Sequence, residues 1–311
     1  MTAPSSTIDQ DRDATLDAFA RGLAYTSRSP VLRAPSDEGL DYQDLTYPSA
    51  DGVPLEAWFI PRTGSTRLIV AMHAFGFNRY GFPAHVEPWR SAFGPGNDTE
   101  IDFIRDYKIL HEAGYNVLAF DFRNHGRSAD ANGGLSLNNL FEARDVIGTM
   151  RYLRERADLA RMETGIFARC MGANATFRAI HTDPAAFEGV RCLVAPLLLS
   201  PRAFLETGLD SAGLGAYADE VDHRYHLITG ARLTDGATSA WAPSVLMPTL
   251  TYGVHDDVLT RPSDLEEAYA AIGASEKDMF WIHDTPRRWD GYKWFQRHPG
   301  RILDWFAAYL K

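Results

Sequence analysis

Gly165-Ile166-Phe167-Ala168-Arg169-Cys170-Met171-Gly172-Ala173-Asn174-Ala175 is the stretch on which the reading of this chain turns. Apolar Ile166 and Phe167 predict a strand, and Ala173, Ala175, Phe177, Ala179 and Ile180 predict a compact helix. Between them lies a one-residue turn with a thiol at its apex. So sharp a turn brings the residues two before and two after the apex almost into contact, so both must be small, as Ala168 and Gly172 are. The following helix aims backbone N–H groups at the sulfur, and that positive dipole end favours thiolate over thiol. Cys170 is therefore the candidate nucleophile. Cys192, the only other cysteine, sits in the apolar run Val190–Ala195 and reads as a buried strand residue.

Outward from this turn, short apolar runs bounded by turn residues predict strands at Leu55–Ile60, Leu68–Met72, Asn116–Phe120, 165–168, 190–195, 249–252 and 279–282. Helical patterns at Ile104–Ala113, Leu140–Arg156 and Ser263–Ile272 alternate with them. Strands alternating with helices predict an α/β architecture with a mostly parallel sheet flanked by helices on both faces. Residues 1–41 read as an N-terminal tail plus a short amphipathic helix at Ala14–Tyr25, and residues 42–197 and 246–311 as the core. Residues 198–245 are too long for an ordinary strand-to-helix connection and read as a small helical cap insertion that shapes a pocket.

Composition narrows the function. The chain has 311 residues, 45% of them hydrophobic, enough for a large core, and a formal charge of −10. No long Lys/Arg run offsets that charge, so neither nucleic acid nor an anionic membrane surface is expected as a partner. Met1–Gln10 is polar, which predicts neither signal peptide nor membrane span and makes the cytoplasm the default location. Two cysteines without a pairing framework fit a reducing compartment. His255-Asp256-Asp257 is the one loose cluster of metal-ligand types, and its spacing implies no metal site. No phosphate-binding glycine loop is present, so no cofactor is expected.

Four motifs in this order resemble the α/β-hydrolase superfamily from about residue 42 to the end. His73-Ala74-Phe75-Gly76 after a strand is similar to its oxyanion turn, with Ala74 where glycine is usual. Asp121-Phe122-Arg123-Asn124-His125-Gly126-Arg127-Ser128 is similar to the stretch that shapes the floor of its site. Ala168–Gly172 is the elbow, and Gly253-Val254-His255-Asp256-Asp257 resembles the acid turn. The resemblance implies oxyanion donors at the backbone N–H groups of Phe75 and Met171 and a base-orienting carboxylate at Asp256, with Asp257 its nearest competitor. Cysteine is a minority nucleophile in this superfamily; dienelactone hydrolases and polyhydroxyalkanoate synthases have it. His73 and His125 read as turn-holding residues.

The pattern departs from the family at the base. The histidine expected after the last strand is replaced by Arg287, Arg288 and Trp289. His283, at the strand end, is the leading histidine candidate for the base, ahead of His298, and a site with no histidine base stands open beside it. Arg287 and Arg288 read either as solvated charges or, pointing inward, as groups that hold a substrate carboxylate or favour the Cys170 thiolate. Three functions follow: a hydrolase of a hydrophobic small-molecule ester, thioester or lactone through an acyl-cysteine; a cyclase, acyltransferase or lyase using the same cysteine; or a ligand-binding protein without catalysis. Fold alone does not choose among them. Nor does the sequence give the oligomeric state.

Overall fold

The computed structural model describes residues 7–92 and 96–311, the side chains from residue 11 onward. In chain order the strands are β1 (Gln43–Pro48), β2 (Pro54–Ile60), β3 (Arg67–Met72), β4 (Gly81–Phe82), β5 (Ile101–Asp102), β6 (Asn116–Phe120), β7 (Glu163–Ala168), β8 (Val190–Val194), β9 (Thr249–Val254) and β10 (Lys277–Ile282). The helices are α1 (Thr7–Ala24), α2 (Ile104–Glu112), α3 (Leu140–Glu155), α4 (Met171–Thr182), α5 (Pro201–Ser211), α6 (Ala218–Thr229), α7 (Pro262–Ala271), α8 (Arg288–Arg297) and α9 (Gly300–Tyr309). Eight strands form one sheet in the order β1-β2-β6-β3-β7-β8-β9-β10, while β4 and β5 pair separately. From β6 to β10 all neighbours are parallel; β2 runs antiparallel to both β1 and β6.

The central strands are apolar on both faces because helices cover both. Leu68, Val70 and Met72 of β3 pack on one side with Val146 and Ile147 of α3, Phe177 of α4 and Leu265 of α7. Ile69 and Ala71 face the other way, among Tyr107 and Leu110 of α2, Phe295 of α8 and Phe306 of α9. A third cluster lies outside the sheet: Leu16, Ala20 and Ala24 of α1 pack with Leu205 and Leu209 of α5 and Val221 and Tyr225 of α6. The segment between β8 and β9 thus carries two helices whose apolar faces are closed by the N-terminal helix. That helix begins at Thr7, earlier than its apolar spacing predicts; Met1–Ser6 lie outside the described residues.

The site is set by topology. From β3 the chain crosses to β6 on one side, and from β7 to β8 on the other. Adjacent parallel strands whose connections leave in opposite directions open a crevice at their carboxyl ends. The turn after β3 holds His73–Asn78, and the turn after β7 holds Cys170.

Candidate active site

Cys170 occupies the apex with φ 52° and ψ −115°, a backbone conformation rare for a residue with a side chain. The turn tolerates it because the flanking contacts are tight. A Cβ on Gly172 would lie 2.8 Å from Met72 Cβ and 2.9 Å from the His73 carbonyl oxygen, so only glycine lets α4 start so close to β3. The Gly172 N–H donates to that oxygen at 3.2 Å, and the Cys170 N–H donates to Pro196 O at 2.9 Å. Cys170 is 7% exposed. Cys192 is fully buried in β8, and burial pushes its thiol up to about 12, which keeps it protonated and inert.

Two histidines hold the neighbouring turns. His73 Nδ1 contacts Ala74 O at 2.8 Å, and Nε2 accepts the Phe122 N–H at 3.1 Å. His125 Nδ1 contacts Arg123 O at 2.8 Å, and Nε2 accepts the Gly76 N–H at 3.2 Å. A ring nitrogen that accepts an amide proton is unprotonated, so each ring is the neutral Nδ1–H tautomer. Burial, the leading cause, lowers His73 to about 3 and holds His125 well below its usual value. Both rings are used up in holding the backbone. Among the described residues, the N–H groups of Phe75 and Met171 are left without an intramolecular acceptor, and both belong to turns that border Cys170.

The side chains brought to Cys170 come from α8. Arg288 is its first residue and Tyr292 lies one turn on, so both face the same way. The Tyr292 hydroxyl accepts from Arg288 Nε at 3.4 Å and lies close enough to Cys170 for the two to influence each other's charge. Arg288 Nη1 donates to Asp257 Oδ2 at 2.6 Å, and Nη2 donates to Leu197 O at 2.7 Å. Asp257 also accepts from Leu259 N–H and from the Thr260 hydroxyl, each at 2.9 Å. Burial opposes the charge on Arg288, but Tyr292, Cys170 and Asp257 hold its pKa well above the ordinary value. Burial, reinforced by Cys170, likewise raises Tyr292 well above its usual range, so the phenol stays protonated.

Close packing sets this helix. A Cβ on Gly291 would come within 2.7 Å of Leu197 Cδ2, so the glycine lets α8 lie against the segment that follows β8. Further along, Gln296 Nε2 donates to Asp106 Oδ1 at 2.8 Å, and Asp106 pairs with buried Arg169, the residue before Cys170. Burial raises Asp106 to about 6 against the pull of Arg169.

The sequence-predicted residues divide accordingly. Met171 follows Cys170 and Arg288 lies beside it, and the turn that carries Phe75 is tied to the elbow through the Gly172 N–H to His73 O. Asp256 and His283 do not join them: Asp256 is exposed and pairs with His255 Nδ1 at 2.8 Å, and His283 is exposed with its ring 5.2 Å from that of His255. The buried carboxylate is the adjacent Asp257. Arg287 is exposed. His298 packs on Trp294 with the rings tilted by 34° and their centres 4.0 Å apart, at the far end of α8. Tyr292 was missed, although Trp289, Tyr292 and Phe295 at three-residue spacing carry the helical signal. Among the described residues no group of three or more His, Cys, Asp or Glu side chains could hold a metal, and no helix is long and apolar enough to cross a membrane.

The fold recurs in solved structures. An esterase of Pyrococcus furiosus superimposes with a TM-score of 0.69 at 18% identity, over 93% of this chain and 100% of that one. The chain has the α/β-hydrolase fold. A dienelactone hydrolase from Anabaena variabilis matches with a TM-score of 0.55 at 16% identity, over 88% of this chain and 99% of that one. A cold-adapted esterase from an Arctic intertidal metagenomic library gives 0.54 at 15%, over 87% and 94%. No protein-family model and no curated protein matches the sequence.

Proposed function

We propose that this chain cleaves an ester, thioester or lactone of a hydrophobic small molecule by forming an acyl-cysteine at Cys170. The observation that carries the reading is the convergence of a strained apical thiol, two unpaired backbone donors and a buried Arg288–Asp257 pair at one crevice. The Cys170 sulfur attacks the acyl carbon; a C–S bond forms and the carbonyl π pair moves onto oxygen, which receives the N–H groups of Phe75 and Met171. Each such donor is worth roughly 3 kcal/mol of barrier. Collapse of the adduct breaks the bond to the leaving oxygen or sulfur, which takes up the proton given by the thiol. The Tyr292 hydroxyl, held by Arg288 Nε beside the thiol, is the group we assign to relay it. The helical segment 198–245 serves as a cap in this reading.

A second reading is favoured by Arg288. A guanidinium has no lone pair to take a proton from water, and so it supports thiolate attack without supporting deacylation by hydroxide. The acyl group would then pass to an alcohol, amine or internal nucleophile of the substrate. Incubation with 4-nitrophenyl butyrate, alone and with added alcohol, amine or thiol acceptors, separates the two. Butyrate as sole product supports hydrolysis, and acceptor-dependent turnover supports transfer. Nitrophenolate release that persists in Cys170→Ala overturns both.

A further inference from the structure

We infer that residues 24–30 are a strap that positions the oxyanion turn, with Ser29 and Arg28 as positioning residues for the Phe75 N–H. The inference rests on the acyl-cysteine reading for its catalytic consequence, but its structural content stands separately. The strap leaves α1 and is stitched to the floor loop at once: Thr26 N–H donates to Gly134 O at 3.1 Å, and Ser136 N–H donates to Ala24 O at 2.8 Å. Ser29 then enters the protein, 1% exposed, and its hydroxyl donates to Gly76 O at 2.8 Å. Asn78 closes the clamp from the other side of the turn, its Nδ2 donating to Ser29 O at 3.1 Å, Ser29 Oγ at 3.0 Å and Pro30 O at 3.1 Å.

Arg28 grips the same turn at one remove. Its Nη1 donates to His125 O at 3.1 Å and Ser128 O at 3.0 Å and also meets Gly126 O, while Nη2 pairs with Asp130. His125, fixed in this way, accepts the Gly76 N–H. Both polar groups of Gly76 are thus held by the strap, the carbonyl directly and the amide through His125. Gly76 has φ 74°, a left-handed conformation that needs no side chain but does need anchoring. On the other side of Phe75, Ala74 O meets His73 Nδ1 at 2.8 Å and accepts the Phe77 N–H at 3.1 Å. The Phe75 N–H is left aimed and unpaired between two anchored neighbours. A donor to a developing oxyanion works by being fixed before the charge appears, so loosening Gly76 costs transition-state stabilisation rather than substrate binding.

The test uses the full chain with Ser29→Ala, Ser29→Thr and the more exposed Arg28→Ala, and reads two quantities. Amide hydrogen exchange over 73–78 is expected to rise in Ser29→Ala and Arg28→Ala while exchange over β9 stays at the wild-type rate; Ser29→Thr, which keeps the hydroxyl, restores protection. With 4-nitrophenyl butyrate, kcat is expected to fall about ten- to a hundredfold in Ser29→Ala with KM within about twofold, and to recover in Ser29→Thr. Unchanged exchange over 73–78 in both alanine variants overturns the strap, as does a loss confined to KM. If release of nitrophenolate does not depend on Cys170, the acyl-cysteine reading has failed, and the exchange measurement still decides whether the strap holds the turn.

Discussion

Replacing Arg288 by methionine separates what this side chain does for the fold from what it does for the thiol. In the protein Arg288 and Asp257 are 4% and 2% exposed and meet at 2.6 Å, so the substitution strands a carboxylate that water does not reach. Breaking such a buried pair from one side costs about 3–5 kcal/mol. Asp257 retains Leu259 N–H and the Thr260 hydroxyl, so the lower end applies, roughly 3 kcal/mol. At about 2–4 °C per kcal/mol this is a fall of roughly 6–12 °C in Tm. Adding Asp257→Asn removes the stranded charge and is expected to restore at least half of the loss. The rate of Cys170 alkylation by iodoacetamide responds differently. It is expected to fall several-fold in Arg288→Met, because the guanidinium whose charge faces the attacking sulfur is gone. It should stay low in the double variant, which regains stability but not the cation. Recovery of alkylation together with stability would refute the reasoning, because Arg288 would then act on the thiol only through the fold.

Four other outcomes follow from the same geometry. Cys170→Ser should retain no more than about one part in 10² to 10⁴ of the activity on 4-nitrophenyl butyrate, since a hydroxyl needs a general base and Arg288 is none. Gly172→Ala inserts a methyl 2.8 Å from Met72 Cβ and should cost about 1–3 kcal/mol in urea unfolding along with most of the activity. His283→Ala and Asp256→Ala, both at exposed side chains, should stay within about 0.5 kcal/mol of wild type in stability, with kcat/KM unchanged. His73 supplies a pH dependence. Its folded value of about 3 lies below the unfolded reference of about 6.5, so the unfolded chain takes up the proton first as pH falls. Its contribution is whole above about pH 6.5 and is lost progressively toward pH 3, and His73→Asn should lose less stability than wild type between pH 6.5 and 4 by up to about 1.4 kcal/mol per pH unit. Parallel curves for the two proteins would count against this.

Much of the fold is legible in the sequence for a simple reason. A parallel sheet covered on both sides makes its strands continuous apolar runs, and Leu68–Met72 and Asn116–Phe120 stand out as such between polar helical faces. The elbow is legible because its turn permits only small residues at Ala168 and Gly172. The acid turn is only half legible. His255-Asp256-Asp257 places two carboxylates side by side, and which one turns inward depends on how the chain bends after β9, a tertiary matter: Asp256 turns to His255 at the surface and Asp257 to Arg288 inside. The family pattern puts a histidine after the last strand, where this chain has arginines, so the inward turn of Arg288 is not signalled by the pattern. What places Arg288 is α8, whose aromatic spacing is masked by the polar residues Arg287, Asp290, Lys293 and Arg297. Once that helix is recognised, Arg288 and Tyr292 one turn apart are expected on one face.

Intact-mass spectrometry of wild-type protein and Cys170→Ala, sampled from seconds to an hour after mixing with 4-nitrophenyl butyrate, tests the acyl-cysteine most directly. The expected result is a single butyryl adduct on the wild type, mapped to Cys170 and outlasting nitrophenolate release because no histidine base faces the thioester, with no adduct on Cys170→Ala. Release of nitrophenolate at equal rates by both proteins, with no adduct on either, would contradict it.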